Sequence, residues 1–363
     1  MRHLLLIIGS QLTLNKNYRQ YIVKSYENTF KELKECICFD KSTKELPFFL
    51  ETWSNEYDFI TIFTSNELYG TNAKIVATLS EDSLVLKNDV LVPSKALKWV
   101  ENSFLVKVNN CKVNVLKTST SQKLPSLLAE VENNFDFFCL QDIDEESATI
   151  LLDTIAKSYA IDILSSPLLE NLVLIKAVET KFGNLKIFLQ AAENLFKQKF
   201  IWGKDPLEFI ASKLIERKLK ISFAESCTAG LCAAELAKFN GISAIFEGSL
   251  ISYSNRLKHE WLGISEVILQ NEYSEKCVYF MLKGTFKTSN CDFALAISGV
   301  AGDSDDKGVK AGTVFIGVMY KDGSFLQESL RFNGDRNFVR HQAVLASFML
   351  MTKLKPEMFF LIH

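Results

Sequence analysis

Glycine is almost missing from the first half of this 363-residue chain. Only Gly9, Gly70 and Gly183 precede residue 200, and 13 of the 16 lie beyond it. Backbone that approaches a phosphate or carbonyl closely needs residues without Cβ and with access to positive φ, so main-chain ligand loops belong to the second half. A long apolar run is also lacking. Leu4–Ile8 is far short of the roughly 20 residues that span a bilayer, and it follows only Arg2 and His3. A cytoplasmic protein without a membrane partner is the expectation. Nor is there charge of one sign: 41 Lys+Arg face 43 Asp+Glu, net −2, which argues against nucleic acid as a partner. The eight cysteines sit mostly in apolar runs, as Cys139 and Cys232 do, where reduced thiols act as small hydrophobes. Cys36 and Cys38 share one face of a strand, but no second Cys/His pair at finger spacing accompanies them, so no metal and no disulfide are expected.

What is present is an ordinary globular composition, 48% hydrophobic and 23% charged, at a length that suggests two domains at about 150 residues each. Leu4–Ile8, Phe59–Phe63, Phe104–Val108 and Phe135–Leu140 read as strands, and stretches around 18–34, 122–133 and 144–158 carry helical spacing. Alternation of this kind predicts an α/β fold: two α/β layered domains joined by a small connector. The expected divisions are 1–165, a connector 166–204, and 205–355. Asp205 can cap a helix opened by Pro206, with Leu207, Ile210, Ala211, Leu214 and Ile215 on one face.

Next comes a strand, Ile221–Ala224, then the turn Glu225-Ser226-Cys227-Thr228-Ala229-Gly230 and an Ala/Leu-rich helix to about Lys238. A helix N-terminus reached through small residues suits an anion or a developing oxyanion; equally, Ser226 or Thr228 simply caps the helix. Further on stand Gly248-Ser249, Tyr253-Ser254-Asn255-Arg256-Leu257-Lys258, Tyr273-Ser274-Glu275, Ser298-Gly299-Val300-Ala301-Gly302, Gly312-Thr313-Val314 and Gly334-Asp335-Arg336-Asn337-Phe338-Val339-Arg340. In this order and spacing, residues 205–353 resemble the CinA family, whose C-terminal domain is the nicotinamide-nucleotide amidase.

The resemblance implies deamidation of nicotinamide mononucleotide to nicotinate mononucleotide and ammonia, without a cofactor, by a homodimer. It makes Ser226 the nucleophile, with Lys258 as base and Tyr253 orienting or relaying its proton. Serine needs such a base, and the histidines of this half, His259, His341 and His363, are read as outside the chemistry. Glu225, Thr228, Gly230, Asn255, Ser298 and Gly299 are carried over as substrate-binding. Arg336 and Arg340, spaced i and i+4, suit a 5′-phosphate, while Asp335 caps their helix. Ala229 stands where the family has glycine, Ser249 replaces a second glycine, and the loop Asp303–Lys310 lacks the family's proline. The N-terminal half resembles the other CinA domain, molybdopterin-binding-like, with Gly9–Asn15 and Thr64–Asn72 lacking the family's small and acidic residues. A scaffold is expected there. The competing readings are a divalent-metal ADP-ribose pyrophosphatase in residues 1–165, or a pyridine-nucleotide-binding protein without turnover.

Overall fold

The computed structural model describes residues 2–87, 90–131 and 133–360. The chain is α/β and divides into two compact units, Met1–Asn134 and Phe135–His363.

In the first unit β1 (His3–Ile8), β2 (Cys36–Phe39) and β3 (Phe59–Ser65) are linked through the helices α1 (Ser10–Thr13), α2 (Lys16–Phe30) and α3 (Leu46–Glu56). After α4 (Asn66–Leu79) come a hairpin, β4 (Leu84–Lys87) with β5 (Val90–Pro93), and then β6 (Lys98–Val100), β7 (Ser103–Val108) and β8 (Cys111–Thr118). The sheet order is β2-β1-β3-β8-β7-β6, parallel as far as β8 and antiparallel beyond. β1 and β3 are buried along their whole length, as strands covered by helices on both faces must be.

Residues 122–131, expected as part of a helix, form no regular element. Pro125 has no N–H to give and disfavours helical geometry at Leu124. The segment instead lays Leu124, Leu127 and Leu128 on the apolar cluster of α2, and Asn114 accepts the N–H of Leu128 at 2.8 Å.

The expected division at 165 falls inside a strand. β9 (Phe135–Gln141), β10 (Ile161–Leu169), β11 (Leu172–Glu179) and β12 (Phe200–Trp202) make one antiparallel sheet, ordered β10-β11-β9-β12 and packed on α5 (Glu145–Ser158) and α6 (Leu185–Phe196). Residues 166–204 are therefore half of a sheet whose other half lies before them in the sequence. Alternating apolar positions mark the strands, but which strands pair is decided by contacts far apart in the chain.

That sheet belongs to the unit containing the rest of the chain. α7 (Pro206–Arg217) opens as expected, Asp205 accepting the Leu207 N–H at 3.0 Å. A second sheet follows, ordered β14-β13-β15-β16-β17, from β13 (Ile221–Glu225), β14 (Phe246–Ile251), β15 (Phe293–Gly299), β16 (Thr313–Tyr320) and β17 (Phe325–Arg331). β14, β13 and β15 are parallel. One face is covered by α7, α8 (Leu231–Leu236) and α12 (Arg336–Leu354), the other by α9 (Asn255–Leu262), α10 (Glu266–Leu269) and α11 (Glu275–Thr288). From β13 the chain crosses to β14 on one side and then to β15 on the other. Such a reversal leaves a crevice outside the carboxyl ends of the strands, the usual ligand position in sheets of this kind. The eight cysteines are free thiols. Among the described residues, no helix is long and apolar enough to cross a membrane.

Candidate active site

At those carboxyl ends lies a cavity of about 300 Å³. Ser226 and Cys227 line it from the turn after β13, Tyr253 and Lys258 from the end of β14 and α9, and Gly299–Gly302 from the end of β15. Arg336 enters from the start of α12, and Glu272, Tyr273, Ser304, Asp305 and Asp306 complete the wall.

The nucleophile candidate is fixed by its backbone. Ser226 donates its N–H to Ile297 of the neighbouring strand at 2.9 Å, and its carbonyl accepts from Ala229 at 3.1 Å. Its hydroxyl makes no hydrogen bond among the described residues. Ala229 takes φ 49° in this turn, a left-handed conformation that costs an L-residue about 1–2 kcal/mol. Ala229→Gly removes that cost and adds about 0.5–1 kcal/mol of chain entropy. We therefore expect a gain of up to about 1 kcal/mol, read as a higher unfolding midpoint; a lower midpoint would contradict the strain.

Lys258 is 2% exposed. Its Nζ donates to the main-chain carbonyl of Tyr253 at 3.1 Å, and burial lowers its pKa below that of ordinary lysine. No direct hydrogen bond joins it to Ser226 among the described residues, although both face the cavity. Tyr253 is half exposed, and its hydroxyl accepts from Arg336 Nη2 at 2.8 Å. The structure thus brings together Ser226, Lys258, Tyr253, Gly299 and Arg336. Gly299 is there by necessity, because a Cβ would lie 2.5 Å from the Thr313 carbonyl oxygen.

Other expected ligands face elsewhere. Glu225 is wholly buried, and its carboxylate accepts the N–H groups of Gly230 at 2.9 Å, Cys232 at 3.0 Å and Ala233 at 3.2 Å, with the Ser249 hydroxyl at 2.7 Å. This corrects both expectations for the turn. The positive end of α8 is already filled by a protein carboxylate, and neither Ser226 nor Thr228 caps it. α8 also ends at Leu236 rather than Lys238.

Gly230 serves as the left-handed N-cap, at φ 90°. Thr228 is buried, and its carbonyl accepts from Arg340 Nε at 3.2 Å and Nη2 at 2.6 Å. Arg340 is therefore a brace for the turn, and of the two arginines only Arg336 reaches the cavity. Asn255 donates to Glu272 and to the Leu269 carbonyl, and Ser298 donates to the Glu272 carbonyl at 3.2 Å. Asp335 caps α12 by accepting the Phe338 N–H at 2.8 Å. His259 binds the Ile264 carbonyl at 2.8 Å and His341 is exposed near Glu235; His363 lies outside the described residues. Among the described residues, no group of three or more His, Cys, Asp or Glu is placed to share a metal ion.

The acidic start of the 303–310 loop stands out in the sequence, whereas Glu272, the other carboxylate of this wall, belongs to none of its motifs. Lys307 Nζ meets Glu272 Oε1 at 2.8 Å, and the Tyr273 hydroxyl donates to Asp306 at 2.7 Å, which ties the 303–310 loop down beside Lys258.

A nucleophile candidate on a strand-to-helix turn, facing the same cavity as a buried lysine at the switch point of a partly parallel sheet, defines an α/β protein with a candidate ligand site at the strand ends. Residues 204–355 match the family described as the CinA C-terminal domain, and the chain belongs to the CinA family. A Listeria monocytogenes serotype 4b relative, named as a competence-damage inducible protein, is 29% identical over 321 residues, which is 82% of this chain and 74% of its own. One from Clostridium beijerinckii with the same name is 40% identical over 151 residues, 40% of this chain and 36% of its own. The solved CinA superfamily protein of Klebsiella pneumoniae 700603 is 31% identical, covering 42% of this chain and 94% of its own, with a TM-score of 0.39.

Proposed function

We propose that the C-terminal domain is a nicotinamide-nucleotide amidase that releases ammonia from nicotinamide mononucleotide. The observation that carries this reading is Lys258, a buried lysine facing the same small cavity as Ser226. A neutral amine that gives one N–H to the Tyr253 carbonyl keeps its lone pair for a proton. As Ser226 Oγ attacks the carboxamide carbon, its proton passes to Lys258 Nζ. Collapse of the tetrahedral adduct breaks the C–N bond, and Lys258 returns the proton to the departing ammonia. Water, deprotonated the same way, then cleaves the ester. Cys227 is no rival nucleophile, since burial pushes its thiol up to about 12 and keeps it protonated at neutral pH.

Arg336 is the candidate for the 5′-phosphate. It is a cation in the first turn of a helix, where the dipole disfavours positive charge, so a bound anion would relieve it. Tyr253 orients that guanidinium through its hydroxyl and Lys258 through its carbonyl.

The test is ammonia release from nicotinamide mononucleotide by the purified full chain. Binding without ammonia would reduce the site to a nucleotide receptor. Because Lys258 has a lowered pKa and acts when deprotonated, activity should rise with pH, through an inflection below the roughly 10.4 of free lysine. Lys258→Arg keeps the charge but cannot lose its proton. It should cost about 10²–10⁴-fold in turnover, the usual worth of a general base, and an active arginine variant would show that only positive charge is needed.

A further inference from the structure

Three elements meet beside Lys258 at a carboxylate that no motif marks. Glu272 lies just ahead of α11, is 7% exposed and lines the cavity. Its Oε2 accepts from Nδ2 of Asn255, the first residue of the helix that carries Lys258. Its Oε1 accepts from Lys307 Nζ at 2.8 Å, on the 303–310 loop, and its main-chain carbonyl accepts from Ser298 at the end of β15. A carboxylate withdrawn from water persists only where partners compensate its desolvation. Here the partners belong to separate elements that all border the cavity.

We propose that Glu272 is a positioning residue of this site, holding α9 and the 303–310 loop together across the cavity and fixing the charge beside Lys258. The inference rests on the reading of Lys258 as the base. Facing that lysine are Glu272, Lys307 of the loop, Cys277 of α11 and Cys227 of the turn, with Tyr253 and Arg336 also bordering the cavity. Glu272 favours the ammonium form, whereas Lys307 opposes it. Neutralising these two partners should therefore displace Lys258 in opposite directions, an outcome that a merely structural contact would not produce.

The measurement is the pH dependence of Lys258 acylation by acetic anhydride in the full chain, without substrate, read by mass spectrometry. Glu272→Gln keeps the shape and one of the two acceptor oxygens but removes the charge, and should move the midpoint down by about half a pH unit or more. Lys307→Gln should move it up. Unmoved midpoints, or two shifts in the same direction, would overturn the proposal. If Glu272→Gln does not fold, the Lys307→Gln shift decides alone: upward supports the clamp, and no shift overturns it. A wild-type chain that releases no ammonia would sink the amidase reading while leaving this titration interpretable.

Discussion

Ser226→Ala is expected to lower ammonia release by at least about 10³-fold while the protein stays folded and still binds nicotinamide mononucleotide. Loss of this size follows because a nucleophile and its base act as a unit, so deleting one forfeits most of what both supply. Stability should barely change. The Ser226 hydroxyl has no hydrogen-bond partner among the described residues, and the turn is held by main-chain bonds to Ile297 and Ala229 that alanine retains. Turnover by single-turnover assay and binding by calorimetry separate the two effects. Activity within about tenfold of wild type corresponds to only about 1.4 kcal/mol of barrier and would remove Ser226 from the chemistry.

Legibility of this site in the sequence followed the range of the interactions involved. The caps at Asp205 and Asp335 could be read because donor and acceptor lie two or three residues apart. Arg336 and Arg340 could not be told apart by spacing, since both lie on one helix face. What separates them is the Thr228 carbonyl, 112 positions from Arg340, which takes one guanidinium and leaves the other to the cavity.

Glu225 sits in the middle of the motif string and so reads as functional, yet the register of β13 sends its side chain under α8 rather than outward. Glu272 was passed over for the complementary reason. Its partners lie 17 and 35 residues away and belong to no local pattern. In the fold, the strands of 135–202 announce themselves by composition. Their antiparallel pairing, and the resulting division at 134/135, arise from tertiary contacts that periodicity does not encode.

That division sets the last expectation: a fragment of residues 135–363 should fold alone, whereas one starting at 204, where the family match begins, should be less stable. Each apolar cluster is drawn from one unit, so the longer fragment keeps its cores whole. The cluster formed by α7, α12 and one face of the second sheet also contains Cys139, Leu172 and Ile201, all buried and all lost from the shorter fragment. The bond from the Thr352 hydroxyl to the Gln141 side chain, 2.6 Å long and buried, would go with them. Apolar side chains of this size contribute about 1.5–3 kcal/mol each when buried, and a buried hydrogen bond about 1 kcal/mol. The sum, on the order of 5–10 kcal/mol, is comparable with the whole stability of a typical domain. Urea unfolding of the two fragments, followed by circular dichroism, makes the comparison. Equal midpoints would show that the sheet of 135–202 is an appendage. A shorter fragment that collapses at low urea, beside a longer one that stays folded and releases ammonia, would show that the C-terminal domain of this chain needs residues 135–203, the expected connector and the end of the expected N-terminal domain, to fold.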